Sequence, residues 1–147
     1  MIKNLLFVIF LSFIAISVAK ANIGRFELDS IAQNSGLEEI IREIEKGFVK
    51  SDVSYISSHF SSQIYLSFLN DVSGYYSSNQ AYYILENFFK EYTVISFSFD
   101  KVKTNINTPY VTGIYYYDLK GSRSEAKVYL SLKYTNKSWE ITQISID

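Results

Sequence analysis

The sequence predicts an α+β fold, on three observations. The last third, Thr93 to Asp147, reads as four consecutive β-strands with almost no interruption. The stretches with helical spacing all lie before it, between Leu37 and Glu91. Grouped helices followed by a run of hairpin-connected strands give a mostly antiparallel sheet with helices packed on one face.

Residues 1–21 stand outside that fold. Lys3 supplies a positive start, Leu5–Val18 is an apolar run broken only by Ser12 and Ser17, and Ala19-Lys20-Ala21 fits a small-x-small cleavage site. The run is shorter than the roughly 20 residues that span a bilayer. This is the pattern of a secretory signal cut after Ala21, so the expected location is the periplasm or the extracellular space. The alternative is an uncleaved anchor. Cleavage would leave 126 residues, one domain with a real core. It would take the basic count from 14 to 12 against 15 acids, a net charge of −3. No nucleic-acid partner is expected from that balance, because phosphate binding needs clustered Lys and Arg. The absence of cysteine excludes a disulfide framework, a thiolate nucleophile and a sulfur-ligated metal.

Residues 22–36 read as a polar lead-in, and residues 37–147 as the single domain. Leu37, Ile40, Ile41, Ile44 and Phe48 line one face of a first helix, Leu37–Lys50, with acids at its start and Lys50 at its end. Ser51 or Asp52 can cap a short second helix carrying Val53, Ile56 and Phe60. A strand is expected over Gln63–Leu69 and a turn over Asn70–Gly74. Ser77, Ser78 or Asn79 can cap a third helix reaching Glu91, with Ala81, Leu85, Phe88, Phe89 and Tyr92 on its inner face.

The next strand, Thr93–Asn105, sets Ile95, Phe97 and Phe99 against Ser96, Ser98 and Asp100. Asn107-Thr108-Pro109 breaks the chain. Tyr110–Leu119 follows, with Val111, Tyr115, Tyr117 and Leu119 on one face and Thr112, Ile114, Tyr116 and Asp118 on the other; Gly113 leaves a gap where the sheet can bend. After Lys120–Arg123, the residues Ala126, Val128, Leu130, Leu132 and Tyr134 alternate with Lys127, Tyr129, Ser131 and Lys133. Asn136-Lys137 suits a hairpin turn. In the last strand Trp139 and Ile141 share one parity, Ile144 and Ile146 the other. That switch means either a bulge near Gln143 or burial on both faces.

Three stretches resemble the nuclear transport factor 2-like superfamily, the cone-shaped, cystatin-like α+β proteins. Val53-Ser-Tyr-Ile-Ser-Ser-His-Phe looks like its short second helix, Gly74-Tyr-Tyr through Phe88-Phe89-Lys90 like its strand and third helix, and Lys137-Ser-Trp-Glu-Ile-Thr-Gln-Ile-Ser-Ile like its final strand. Within that superfamily the chain is most similar to small exported bacterial proteins of unknown function. The resemblance implies a strongly bent sheet with three helices on its concave face and a pocket at the mouth of the cone. It does not imply one activity, because the fold hosts enzymes, binders and scaffolds. Ketosteroid isomerases of this fold carry a base on the strand after the second helix. Here Gln63-Ile-Tyr-Leu-Ser-Phe-Leu69 contains no acid.

The remaining chemistry is sparse. His59 is the only histidine, with no sequence pattern supplying a nucleophile and an orienting acid, so a structural or solvated role is expected. Asp100, Asp118 and Glu140 read as solvated. The tyrosines are the richer signal, 13 of them in a chain that is 17% aromatic. Consecutive Tyr115, Tyr116 and Tyr117 put rings on both faces of one strand. Outward-facing tyrosine marks an interface or merely fills β positions; both readings stand.

The expectation is an exported, non-catalytic binding or scaffold domain. Its cone would hold a small apolar or aromatic ligand, lined by Phe48, Tyr55, Phe89, Tyr115 and Tyr117, or be filled by its own side chains. The partner would be such a ligand, an envelope protein, or a second copy paired through Ile114, Tyr116 and Tyr129. The alternative is a cofactor-free isomerase or lyase using a pocket tyrosine and a carboxylate. Neither reading calls for a cofactor, a metal or a membrane span after cleavage.

Overall fold

The structure, a computed structural model, describes residues 36–104 and 108–147. The expected signal (1–21), nearly all of the lead-in, and the Asn105 and Asn107 boundaries lie outside the described residues. Apart from Gly36, everything that follows lies in the unit from Leu37 to Asp147.

Helix α1 covers residues 36–50 and α2 Ser54–Ser57; strand β1 is Phe60–Ser67, β2 Ser73–Ser77, and helix α3 Ser78–Glu91. Strands β3 (Thr93–Lys103), β4 (Tyr110–Leu119), β5 (Ser122–Thr135) and β6 (Ser138–Ile146) complete the chain. The six strands form one curled sheet in the order β2-β1-β6-β5-β4-β3. All neighbours are antiparallel except β1 and β6, which run parallel. That pairing brings the first strand against the last, so the hydrophobic centre of the sheet is built from both ends of the domain.

Local signals account for the helices. Ser77 caps α3 by accepting from the Gln80 N–H, while the Gln80 side chain accepts from the Ser77 N–H, a reciprocal capping box. The expected inner face of α3 is buried throughout: Ala81, Leu85, Phe88, Phe89 and Tyr92. The expected Ser51 or Asp52 cap of α2 is not formed: its N-cap is Val53, with no side-chain cap, and Asp52 Oδ1 accepts from the Ser54 N–H at 3.0 Å instead. Gly47 is where α1 meets α2, and a Cβ there would lie 2.5 Å from Ile56. The turns are equally local. Lys120-Gly121 and Asn136-Lys137 all have positive φ, as two-residue hairpin loops require.

Four further sequence expectations are corrected. Phe60 does not belong to α2; it begins β1, which runs from Phe60 to Ser67 and leaves Leu69 exposed. Parallel pairing of Phe60 with Ile141 draws the strand start forward. Ser73 and Gly74, read as the end of a turn, already belong to strand β2, which pairs with β1 where the resemblance implied a strand at Gly74-Tyr-Tyr. Ile95 is not on the core face. Val94 pairs with Tyr117 and Ser96 with Tyr116, so Ile95 is an extra residue in a bulge, turned outward and 48% exposed. Tyr134, placed by alternation in the Leu130–Leu132 row, is 40% exposed near the hairpin end. Its ring lies against Trp139 instead, 5.2 Å between centroids.

The parity switch in β6 is a bulge. Ser131 pairs with Gln143 and Leu132 with Ile141, leaving Thr142 as the extra residue. Trp139, Ile141, Ile144 and Ile146 are therefore all buried. A second bulge in β3 falls at Asp100, beside Gly113. There a Cβ on Gly113 would meet the Ser98 carbonyl oxygen at 2.6 Å and the Phe97 ring at 3.0 Å. The gap predicted at Gly113 is thus occupied by a neighbouring backbone and ring, which tightens the bend of the sheet.

Candidate functional site

Two regions carry the candidate residues: the cone interior, and the sheet face turned away from it. The interior is an aromatic cluster. Phe48 projects from α1 and stacks on Phe97 of β3 at 4.6 Å, with Phe89 of α3 edge-on at 5.4 Å. Tyr115 of β4 lies 6.1 Å from Phe48 and 5.8 Å from Phe88. Tyr115 is fully buried, and its hydroxyl donates to the Tyr92 carbonyl oxygen at 2.7 Å. Burial pushes this phenol far above its ordinary pKa, so it is held neutral. Tyr117 packs edge-on against Tyr92 at 5.2 Å. Burial also raises Tyr92.

Four of the five pocket candidates, Phe48, Phe89, Tyr115 and Tyr117, are therefore brought together and buried among one another. Tyr55 is not with them. It is half-buried on α2, with Lys46 Nζ 4.4 Å and Lys50 Nζ 5.4 Å from its ring, a cation–π pairing with α1.

His59, read as structural, has a partner the sequence did not reveal. Its Nε2 lies 2.6 Å from Glu43 Oε2 and ties α1 to the start of β1. Glu45, on the same helix, accepts from the Phe99 N–H at 3.1 Å and so satisfies a donor of edge strand β3. Neither residue carried a signal beyond its place on a polar helix face; 16 and 54 residues separate the partners. Asp100 accepts from Thr112 Oγ1 at 2.6 Å, and Asp118 accepts from the Gly121 N–H at 2.8 Å. Each carboxylate serves its own turn or bulge. Among the described residues no group of three His, Cys, Asp or Glu could hold a metal.

The outer face follows from the β4–β5 register. Ile114 faces Lys127, Thr112 faces Tyr129 and Tyr116 faces Glu125, while Gly113 faces Val128. Ile114, Tyr116 and Tyr129 thus share the face opposite the core. Tyr129 stacks on Tyr110 at 5.4 Å. Toward the β4–β5 turn an open groove of about 570 Å³ is lined by Ile95, Ser96, Tyr116, Arg123, Ser124 and Glu125. Tyr116 is 44% exposed there. The Glu125 carboxylate beside it raises the phenol above its usual range, through its negative charge first and through the hydrogen bond it accepts. Sequence alternation marked Tyr116. It could not mark the groove, because the bulge that turns Ile95 into it breaks the alternation.

The family comparison matches residues 41–147 to a domain of unknown function, DUF4783. The chain belongs to the DUF4783 family. Two solved members are similar to it. One from Bacteroides uniformis is 18% identical, covering 72% of this chain and 94% of that one, with a TM-score of 0.65. One from Bacteroides ovatus is 19% identical, covering 71% and 90%, with a TM-score of 0.61. A hypothetical protein with a ketosteroid isomerase-like fold from Catenulispora acidiphila, in complex with trimethylamine, is 11% identical, covers 74% and 84%, and has a TM-score of 0.58. No curated protein sequence matches the chain. At these identities the structural likenesses establish the fold: the chain has the nuclear transport factor 2-like architecture.

Proposed function

We propose that this DUF4783 protein is an exported, non-catalytic binding or scaffold domain whose working surface is the outer sheet face. The observation that supports this reading is the close ring packing in the cone interior. The space that would receive a ligand holds Phe48, Phe88, Phe89, Phe97 and Tyr115, and the one phenol among them has its proton committed to the Tyr92 carbonyl. An isomerase needs a base poised there. The strand that would supply it by resemblance offers Gln63, Tyr65 and Ser67 on one parity and Ile64 and Leu66 on the other. Export rests on Lys3, the Leu5–Val18 run and Ala19-Lys20-Ala21.

On that outer face, Ile114, Tyr116 and Tyr129 form the patch for a protein partner, and a second copy is the simplest one, since a two-fold contact sets the same patch against itself. Lys127 and Lys133 flank Tyr129 and give the patch a polar rim.

The test is purification of the protein from its host's envelope, with mass spectrometry of bound proteins and small molecules and sedimentation equilibrium at tens of micromolar. The expected result is a mature chain starting at Asn22, free of any cone-bound small molecule, self-associated, and driven to monomer by Tyr129→Glu. A stoichiometric apolar molecule retained through dialysis would overturn the filled-cone reading. A monomer with no protein partner would overturn the interface. An intact Met1 on cytoplasmic protein would overturn export.

A further inference from the structure

We propose that the groove at the β4–β5 end of the outer face is a binding site for a short peptide with free termini and an apolar side chain. The inference rests on the reading of this protein as a binding domain and names a ligand class for it. Four features of the groove converge.

First, Arg123 lines it with an exposed guanidinium that makes no ion pair among the described residues; Asp118, its register partner across the β4–β5 pair, accepts from the Gly121 N–H instead. A planar five-donor fork is suited to a carboxylate held bidentately. Second, Glu125 lines the same groove two residues further along β5, on the same face. The two side chains carry opposite charge and yet do not pair with each other. Glu125 is instead set beside Tyr116, its register partner on β4. Third, alternate residues of a strand are about 6.6 Å apart. An extended dipeptide spans about 7 Å from end to end. Its carboxylate can meet Arg123 while its ammonium meets Glu125. A single amino acid, with adjacent charges, cannot reach both as well. Fourth, the bulge in β3 turns Ile95 out of the core row and into the groove beside the Tyr116 ring. Together they form an apolar wall for one side chain, and Ser96, the register partner of Tyr116, adds a hydroxyl for the peptide bond. A bulge that breaks alternation to aim an apolar side chain into a charged groove is a local cost with a use. The volume lies within the usual range for small-ligand sites, about 300–1,000 Å³.

The site is separate from the cone interior, so it needs no opening of the aromatic cluster. It shares Tyr116 with the self-association patch. The test is therefore run at low micromolar protein, on the host-purified chain and on its Tyr129→Glu variant, which lies outside the groove. Leucyl-leucine is titrated and the ring resonances of Tyr116 are followed by NMR. Saturable shifts are expected. N-acetyl-leucyl-leucine and leucyl-leucinamide, each lacking one terminal charge, should bind about tenfold more weakly, as the loss of one charge-assisted pairing implies. Free leucine should be weaker than the dipeptide. Arg123→Gln should erase the difference between leucyl-leucine and its amide, and Glu125→Gln the difference between it and its N-acetyl form. The capped ligands test the idea on the unaltered protein, so it does not depend on how the variants fold. Equal binding of capped and uncapped peptides, or no saturation in the millimolar range, would overturn the inference. Either result would leave the filled cone standing, because that reading falls only to a ligand found inside it.

Discussion

Replacing Phe88 by Ala should open the centre of the cone, and its cost can be worked from the rings around it. Phe88 is fully buried on the inner face of α3. It stacks on Tyr92 at 4.6 Å with planes 13° apart, and its ring lies 5.1 Å from Phe68, 5.8 Å from Tyr115 and 6.2 Å from Phe89. Truncating a buried Phe to Ala costs about 3–5 kcal/mol, transfer and cavity together. The upper half of that range applies here. The neighbours are themselves pinned, Tyr115 by its bond to the Tyr92 carbonyl, and cannot collapse into the space. Domains of this size have about 5–15 kcal/mol in all. With a urea slope of about 1.5 kcal/mol/M, a loss of about 4 kcal/mol lowers the midpoint by about 2.7 M. Urea denaturation followed by circular dichroism reads this directly, and the slope should not change. A midpoint within about 0.5 M of the parent would refute the placement of Phe88 at the centre of the core.

Three further outcomes are expected. Gly113→Ala should destabilise the domain by about 1–3 kcal/mol in the same assay, because its Cβ must displace the Ser98 carbonyl and the Phe97 ring; an unchanged midpoint would mean the β3–β4 bend is looser than described. Lys137→Gly should raise thermal stability by about 0.5–1 kcal/mol, since Lys137 has φ +65° in its hairpin turn and glycine adopts that conformation without strain; a fall would contradict the turn geometry. Glu125→Gln should lower the Tyr116 titration toward the ordinary phenol value, because the carboxylate's negative charge is what raises it. NMR of the Tyr116 ring against pH checks this, and an unmoved titration would remove Glu125 as its neighbour.

The readability of this fold from sequence has a physical pattern. Where burial and alternation act on one strand at a time, residues were enough: Tyr110–Leu119 is a strand over those same bounds, and α3 buries the five residues its spacing marked. Even the β6 bulge left a trace, as one of two readings of the switch that moves a row of isoleucines from one parity to the other. The bulge at Ile95 was not, because the residues after it, Phe97 and Phe99, restore the pattern that a regular strand would show. Long-range polar pairs were illegible for a different reason. Glu43 and Glu45 look like any solvated helix positions until tertiary packing brings His59 and the Phe99 N–H to them. The parallel contact of β1 with β6 likewise depends on which strands meet, not on what either contains.

The cone candidates show the same limit. Phe48, Phe89, Tyr115 and Tyr117 were legible as inward-facing aromatics, but how closely the rings meet depends on the tertiary fold. Here ring centroids sit 4.6–6.3 Å apart around Phe48, Phe88, Phe89, Phe97 and Tyr115. Those are packing distances for aromatic pairs.

Xenon tests that point most directly, since it enters apolar cavities that water leaves empty. Crystals of the protein pressurised with xenon should show no xenon among Phe48, Phe88, Phe89, Phe97 and Tyr115, and Phe88→Ala crystals should show one there. Xenon bound within that cluster in the parent protein would mean an open cone able to take an apolar ligand, and the outer face would lose its claim to be the working surface.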